Sequence, residues 1–318
     1  IDQLWDGMWG VLRAFPQPRP PATPMVALKP LTDEPAALLA GNVTSQAACQ
    51  KDDSPGSRWL QRTQVDVSAV RACDLYGGCE GAARGILYNS RLQLQDERAV
   101  VYVLNFEGKP GPEAQAVLTQ RNSAILPRLL TQFRDEGRPL EPLVLRAAAG
   151  DCIEVKLRNH VPAGLPRVEA HEAGRYHNFL PMITDGFNIN DFAMSNAVSL
   201  SVPQLAQNPV DADGSNVGRN SISFAADSDN PNDRLRRGSL VEACPTSQPD
   251  LPQCARTVVW WAGDYGASFA PVEHGALPLS SFGDTIKHPA HGLIGALVVG
   301  PQGTRVCTND RFALGPDG

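Results

Sequence analysis

Two histidines three residues apart, His288 and His291, stand in the stretch D-T-I-K-H-P-A-H-G-L-I-G-A-L-V-V-G-P (284–301). An H-x2-H pair on a loop can chelate Cu(II), Zn(II) or Mn(II), because neutral imidazole suits all of these ions. His274, with Glu273 beside it, offers further ligands from a nearby segment. The competing assignment is that Lys287, His288 and His291 are polar loop residues hydrogen-bonded to neighbouring backbone. His171 and His177 lie in a second region rich in polar residues, as site-lining or exposed side chains. Asp211, Asp213, Asp227, Asp229 and Asp233 could hold a hard cation such as Ca(II) or Mn(II), or form a solvated acidic loop. Met8, between Trp5 and Trp9, reads as a core methionine. Trp260-Trp261 fits core packing better than electron relay.

Several chemistries have no residues to carry them. No Ser-His-Asp order, phosphate loop or zincin motif occurs. The net charge of −6 and pI near 5.5 give no reason to expect nucleic-acid or anionic-membrane binding. No apolar run approaches the length of a membrane span. The seven cysteines (49, 73, 79, 152, 244, 254 and 307) include no C-x2-C pair of the zinc type. Cys73/Cys79 and Cys244/Cys254 each bracket a short Gly- or Pro-containing loop, so local disulfides are expected, and with them an extracellular or periplasmic location. Reduced, buried cysteines in a cytosolic protein are the other reading. The odd count leaves at least one thiol free or paired outside the chain.

The elements that position these residues are mostly strands. Pro, at 27 residues, opposes long helices, and with 28 Gly it supplies many turns. Residues 64–70 alternate polar and apolar, the period of a half-buried strand. Strands are also expected at 85–89, 99–104, 142–147, 153–159 and 258–263. Residues 292–300 form an apolar run closed by Gly300-Pro301, which reads as a buried final strand behind a histidine-bearing loop. One peripheral helix is predicted over about 113–136, opened by Pro112, stopped by Gly137 and kinked or split at Pro127. Residues 160–235 read as long polar loops of the kind that build a site or an interface. The sum is an all-β sandwich.

Three stretches then resemble a known family. P-L-V-L-R-A-A-A-G-D-C-I-E-V-K-L-R-N (142–159), W-W-A-G-D (260–264) and residues 284–301 are similar to the cupredoxin domains of large multi-domain multicopper oxidases, of the bacterial manganese-oxidase and ceruloplasmin-like type. V-S-L-S-V-P-Q (198–204), D-G-S-N-V-G-R-N (213–220) and I-L-Y-N-S-R (86–91) fit the same pattern. The resemblance implies a Greek-key β-sandwich over residues 61–303. It implies that residues 1–15, with D-G-M-W-G-V-L-R (6–13), are the closing strand of a preceding cupredoxin domain. Residues 16–60 would then be a linker and 304–318 a tail or linker, within a longer polypeptide whose other cupredoxin domains are the partners. The implied activity couples one-electron oxidation of a metal ion such as Mn(II), or of a phenolic donor, to O2 reduction at copper.

The ligand motifs of that family are missing from this chain. A type 1 copper needs one Cys and two His, and a trinuclear cluster needs paired H-x-H motifs. Neither H-C-H nor H-x-H occurs, and Met8 falls near where the resemblance implies a type 1 axial methionine, the alternative to its place in the core. Ser280-Ser281-Phe282 falls where the family's second H-x-H stands, and Val202 falls where related domains tend to carry a histidine. The expectation is an architectural, copper-free domain of such an enzyme, with copper elsewhere in the full protein and His288, His291 and His274 as candidate metal ligands in this chain. A non-enzymatic cupredoxin-like structural or interaction module is the alternative.

Overall fold

β1 (Arg62–Arg71) and β6 (Cys152–Asn159) are the centre of the frame in the computed structural model, which describes residues 62–79, 86–89, 91, 94–96, 98–162, 194–207, 214, 241, 243–263, 270–285 and 287–304. The expectations for residues 1–61 and for the tail from 305 lie outside that set, as do Met8, His171, His177 and the acidic residues between 211 and 233. β1 and β6 run parallel, with Val65 beside Val155 and Val67 beside Leu157. β4 (Val100–Gly108) flanks β1, while β8 (Ala255–Trp261) and the two-residue β7 (Ala206–Gln207) extend the sheet beyond β6. A second sheet holds β5 (Leu143–Ala148), β10 (Gly295–Gly300) and β9 (Gly275–Leu279), with β10 in the middle. β2 (Ile86–Asn89) and β3 (Leu94–Asp96) form a small separate hairpin. The molecule is therefore β-rich, with two main sheets and few helices.

Alternation along the strands builds the main core. Val65, Ile153, Leu157 and Trp260 from the larger sheet share one buried cluster with Leu145, Leu277, Leu297 and Val299 from the smaller. Removing this apolar surface from water is the main force holding the two sheets together. On β10 the alternation leaves Val298 and the preceding Ile294 exposed. The apolar run 292–300 is thus a half-buried strand starting at Gly295, with one apolar row facing outward.

A second core lies on the opposite side of the larger sheet. Val101 and Val103, the alternate residues of β4, join Val70, Leu75, Ile125, Leu129 and Phe133. Both faces of β4 are therefore buried, as its unbroken β-branched run implies. The helical layer comprises α1 (Ala72–Leu75), α2 (Pro112–Leu118) and α3 (Asn122–Arg134).

The single helix expected over 113–136 is two helices, and the break lies at Thr119–Arg121 rather than at Pro127, which stays inside α3. The cause is a side chain from another element. Arg158 of β6 donates to the carbonyls of Val117, Leu118 and Gln120 and to Asn122 Oδ1, over 2.8–3.3 Å. Lys156 adds a bond to the Leu118 carbonyl. These cations satisfy the carbonyls that end α2. Arg121 turns extended, at φ −75° and ψ 152°, before α3 begins.

Arg158 also explains why the polar side of β1 is dry. Its guanidinium pairs with Asp66 at 2.8 Å, and the two side chains are 1% and 0% exposed. Asn105, the extra residue of a bulge where Asp66 faces Phe106 and Val67 faces Leu104, donates to Asp66 Oδ1 and Ser68 Oγ. The polar faces of β1 and β6, expected to be wet on their alternation, here lie beneath the helical layer.

The expected cysteine pairs are present. Cys73–Cys79 and Cys244–Cys254 are disulfide-bonded, with Cα atoms 4.9 and 5.7 Å apart. Cys152 is also disulfide-bonded. No helix among the described residues is long and apolar enough to cross a membrane.

Candidate functional site: a buried histidine network

The Asp284 side chain starts the local structure around the two histidines. Its Oδ1 accepts the Lys287 N–H at 2.8 Å and its backbone carbonyl accepts the His288 N–H at 3.2 Å. That cap turns Lys287–Ala290 into one turn of helix, α4, in place of the expected loop. Pro289 is tolerated there because first-turn N–H groups need no intrahelical partner. Asp284 Oδ2 also accepts the Ser195 N–H, tying α4 to the segment at 194–202.

His288 is completely buried and both ring nitrogens are bonded. Nε2 lies 2.8 Å from the Ser195 carbonyl oxygen, and Nδ1 lies 2.8 Å from Ser281 Oγ. A carbonyl only accepts, so Nε2 carries the proton and Nδ1 of the neutral ring accepts from the Ser281 hydroxyl. Ser281 Oγ in turn accepts the Ser199 N–H at 3.1 Å. The buried Tyr102 hydroxyl donates to the Ser199 carbonyl. Burial lowers the pKa of His288, and the neighbouring His291 lowers it further, against opposing effects from the Ser195 carbonyl and Asp284. Burial pushes Tyr102 far above the ordinary phenol value, with Ser281 opposing.

His291 faces the other way. Its Nδ1 donates to Asp96 Oδ2 at 2.6 Å, and Asp96 is fully buried at the end of β3. Asp96 Oδ1 accepts the Arg98 N–H, and the His291 carbonyl accepts the Val100 N–H. His291 therefore anchors the turn from β3 to β4. His274 stands apart, just before β9. Its Nε2 is enclosed without a hydrogen-bond partner, and burial lowers its pKa.

Among the described residues, no set of donors matches that of a type 1 copper. Every cysteine among the described residues is disulfide-bonded, so none offers the thiolate of a type 1 site. Both His288 nitrogens and one His291 nitrogen are engaged within the fold. Three His, Cys, Asp or Glu side chains bring ligand atoms within 4.8 Å of one another at only one place among the described residues. That place is Cys73, Asp74 and Cys79, where the two sulfurs are already bonded together.

The positions where the resemblance would place imidazoles are filled. Ser201 and Ser280 exchange backbone hydrogen bonds in an isolated bridge. Val202 is fully buried, and Ser281 is spent on the histidine network. Phe282 N–H donates to Ser199 Oγ. Next to them, Gly283 lies so close to the chain that a Cβ atom there would stand 2.1 Å from the Ala197 carbonyl oxygen. A side chain is excluded by contact with backbone.

Sequence reasoning singled out His288 and His291 but missed their partners. Ser195 and Asp96 lie 93 and 195 residues away from them. The one local signal was V-S-L-S-V at 198–202, where the two serines are as buried as the apolar residues between them. No family model matches this chain, and no curated protein matches it.

Proposed function

We propose that this chain is a copper-free, cupredoxin-like Greek-key unit of an extracytoplasmic multicopper oxidase. The observation that carries the reading is the meeting of the three stretches on which the resemblance rests. β6 pairs with β8, and β5 pairs with β10. At their junction Gly150 N–H donates to the Ala262 carbonyl at 2.6 Å, Ala262 N–H donates to the Asp151 carbonyl, and Ala149 N–H donates to the Gly300 carbonyl. Gly150, at φ 87°, makes the turn by which the chain leaves one sheet and enters the other. Segments more than a hundred residues apart thus form one hydrogen-bonded knot, as parts of a single fold signature do.

The role that fits is architectural. The resemblance would put an imidazole near Ser281, and here that hydroxyl is hydrogen-bonded to the neutral His288 ring instead. The ring's work is to hold the 194–202 segment against α4. The disulfides support a secreted or periplasmic setting. Copper-bearing cupredoxin domains of the same polypeptide or complex would oxidise a metal ion such as Mn(II), or a phenolic donor, and reduce O2.

The test uses the native polypeptide that carries this chain. Copper analysis and O2 uptake with Mn(II) or a phenol should give a copper-containing, O2-consuming protein. A native polypeptide free of copper and inert toward both donors would overturn the oxidase reading and favour a non-enzymatic module.

A further inference from the structure

The smaller sheet turns an apolar face outward. On β10, Leu297 and Val299 enter the core, so Ala296, Val298 and Gly300 point the other way, with Ile294 just before the strand. The register sets Val144 and Pro278 beside Ala296, and Arg146 and Ala276 beside Val298. Ile294 is 46% and Val298 36% exposed, and Ala276 and Pro278 are exposed with them. A sheet face left to water ordinarily carries polar residues. We propose that residues 305–314, which follow β10, fold back as a strap over this face.

The direction in which the chain leaves β10 is the first argument. Pro301–Thr304 is a tight turn. The Thr304 N–H donates to the Pro301 carbonyl at 3.1 Å, its hydroxyl donates to the same oxygen at 2.7 Å, and Gly303 takes φ 76°. The turn lays the Thr304 side chain over Gly300: a Cβ atom on Gly300 would stand 3.4–3.7 Å from it. Gly300 belongs to the outward row, so the chain comes out of the turn on the apolar side of the sheet.

The segment itself is the second argument. It reads R-V-C-T-N-D-R-F-A-L (305–314). Extended, with Thr304 toward the sheet, it brings Val306, Phe312 and Leu314 to the same side, with Thr308 and Asp310 between them. Arg305, Cys307, Asn309 and Arg311 take the side facing water. Ten residues reach about 33 Å, against about 20 Å for β10. A segment joined by one turn also acts at a high effective concentration, which a separate partner lacks. Contact by the face is favoured because the edges are guarded. The Arg146 and Ala148 N–H groups of β5 donate to Glu107 and Asp151, and Pro278 lies in edge strand β9.

The strap also assigns a disulfide. Cys152 is bonded, and the two local pairs leave Cys49 and Cys307 as its possible partners. Cys152 alternates with Ile153 and Val155 of the main core, so it faces the helical side of the larger sheet. A bond to Cys307 would draw the segment off the smaller sheet, so Cys49 is the partner.

Trypsin cleavage of the full chain after Arg305 and Arg311, against a synthetic peptide of residues 305–318, tests the strap. Cleavage in the chain should be at least about tenfold slower than in the peptide, since it tracks the opened population. Ile294→Asp with Val298→Asp, at two exposed positions, should bring it close to the peptide rate. Should that variant fail to fold, Leu314→Ser, outside the sandwich, must still speed cleavage after Arg311. Equal rates in chain and peptide, slow cleavage unchanged in the variants, or a Cys152–Cys307 peptide in disulfide mapping would each overturn the proposal. So would a dimer that Val298→Asp dissociates while the segment is cleaved at the peptide rate, which would give the face to a second copy.

Discussion

Two regions of this molecule bury polar side chains by opposite means. Beneath the helical layer, Asp66 and Arg158 are a full ion pair with almost no solvent exposure. Beside α4, Tyr102, Ser199, Ser281, His288 and Ser195 form a chain of neutral hydrogen bonds. The ion pair needs, and has, a partner for every N–H of the guanidinium, because an uncompensated buried charge is among the costliest defects in a fold. The neutral chain tolerates the loss of a link better but depends on one histidine remaining uncharged. The first region should therefore be sensitive to substitution, and the second to acid.

Breaking the ion pair is the largest expected effect. Arg158→Met strands Asp66 and frees the carbonyls at the end of α2, and should cost about 3–5 kcal/mol in chemical denaturation. Replacing Asp66 and Arg158 together by apolar residues of similar volume should cost much less than either single change. Equal losses in the single and double variants would place the cost in the helix carbonyls rather than in the charge.

Acid should act next in size. His288 is held neutral by burial, and burial, reinforced by the nearby Arg158, lowers His160 to about 4. The unfolded chain takes up these protons near pH 6.5, at the ordinary histidine value. Stability from both groups is therefore complete above about pH 6.5 and declines as the pH falls, the His160 share being exhausted near pH 4. That share is on the order of 3 kcal/mol. Urea midpoints measured from pH 7.5 down to pH 4 should fall accordingly, and His160→Gln should flatten part of the slope. A midpoint that rises on acidification would contradict the assignment of neutral rings.

Single links of the neutral chain should matter least. Tyr102→Phe leaves the Ser199 carbonyl without its hydroxyl donor, and Ser281→Ala leaves His288 Nδ1 unpaired. Each should cost about 1–3 kcal/mol, the desolvation penalty of a buried group left unsatisfied. The nitrogen chemical shifts of the His288 ring would register the second change directly, a readout that global loss of packing does not mimic.

The same contrast marks what the sequence could disclose. Strands were legible because β-branched runs and polar–apolar alternation are local, and β1, β4, β5 and β6 lie within a few residues of their expected places. The division of the long helix was not, because Arg158, some forty residues further along, ends α2. The dry polar face of β1 was hidden for the same reason: alternation says which residues share a face, not what covers it. At the site, the H-x2-H spacing drew attention to His288 and His291, while their partners Ser195 and Asp96 come from two distant segments that no spacing connects. The serines at 280 and 281, which fall where the resemblance puts an H-x-H motif, belong to the construction themselves.

The account rests on His288 being a hydrogen-bonded structural residue in a domain that holds no copper of its own. Titration of the purified chain with Cu(II), followed by equilibrium dialysis and visible absorption, tests this most directly. The expected result is no stoichiometric copper and no intense band from a Cys-ligated site. One tightly held copper per chain, lost in His288→Ala and His291→Ala, would contradict it.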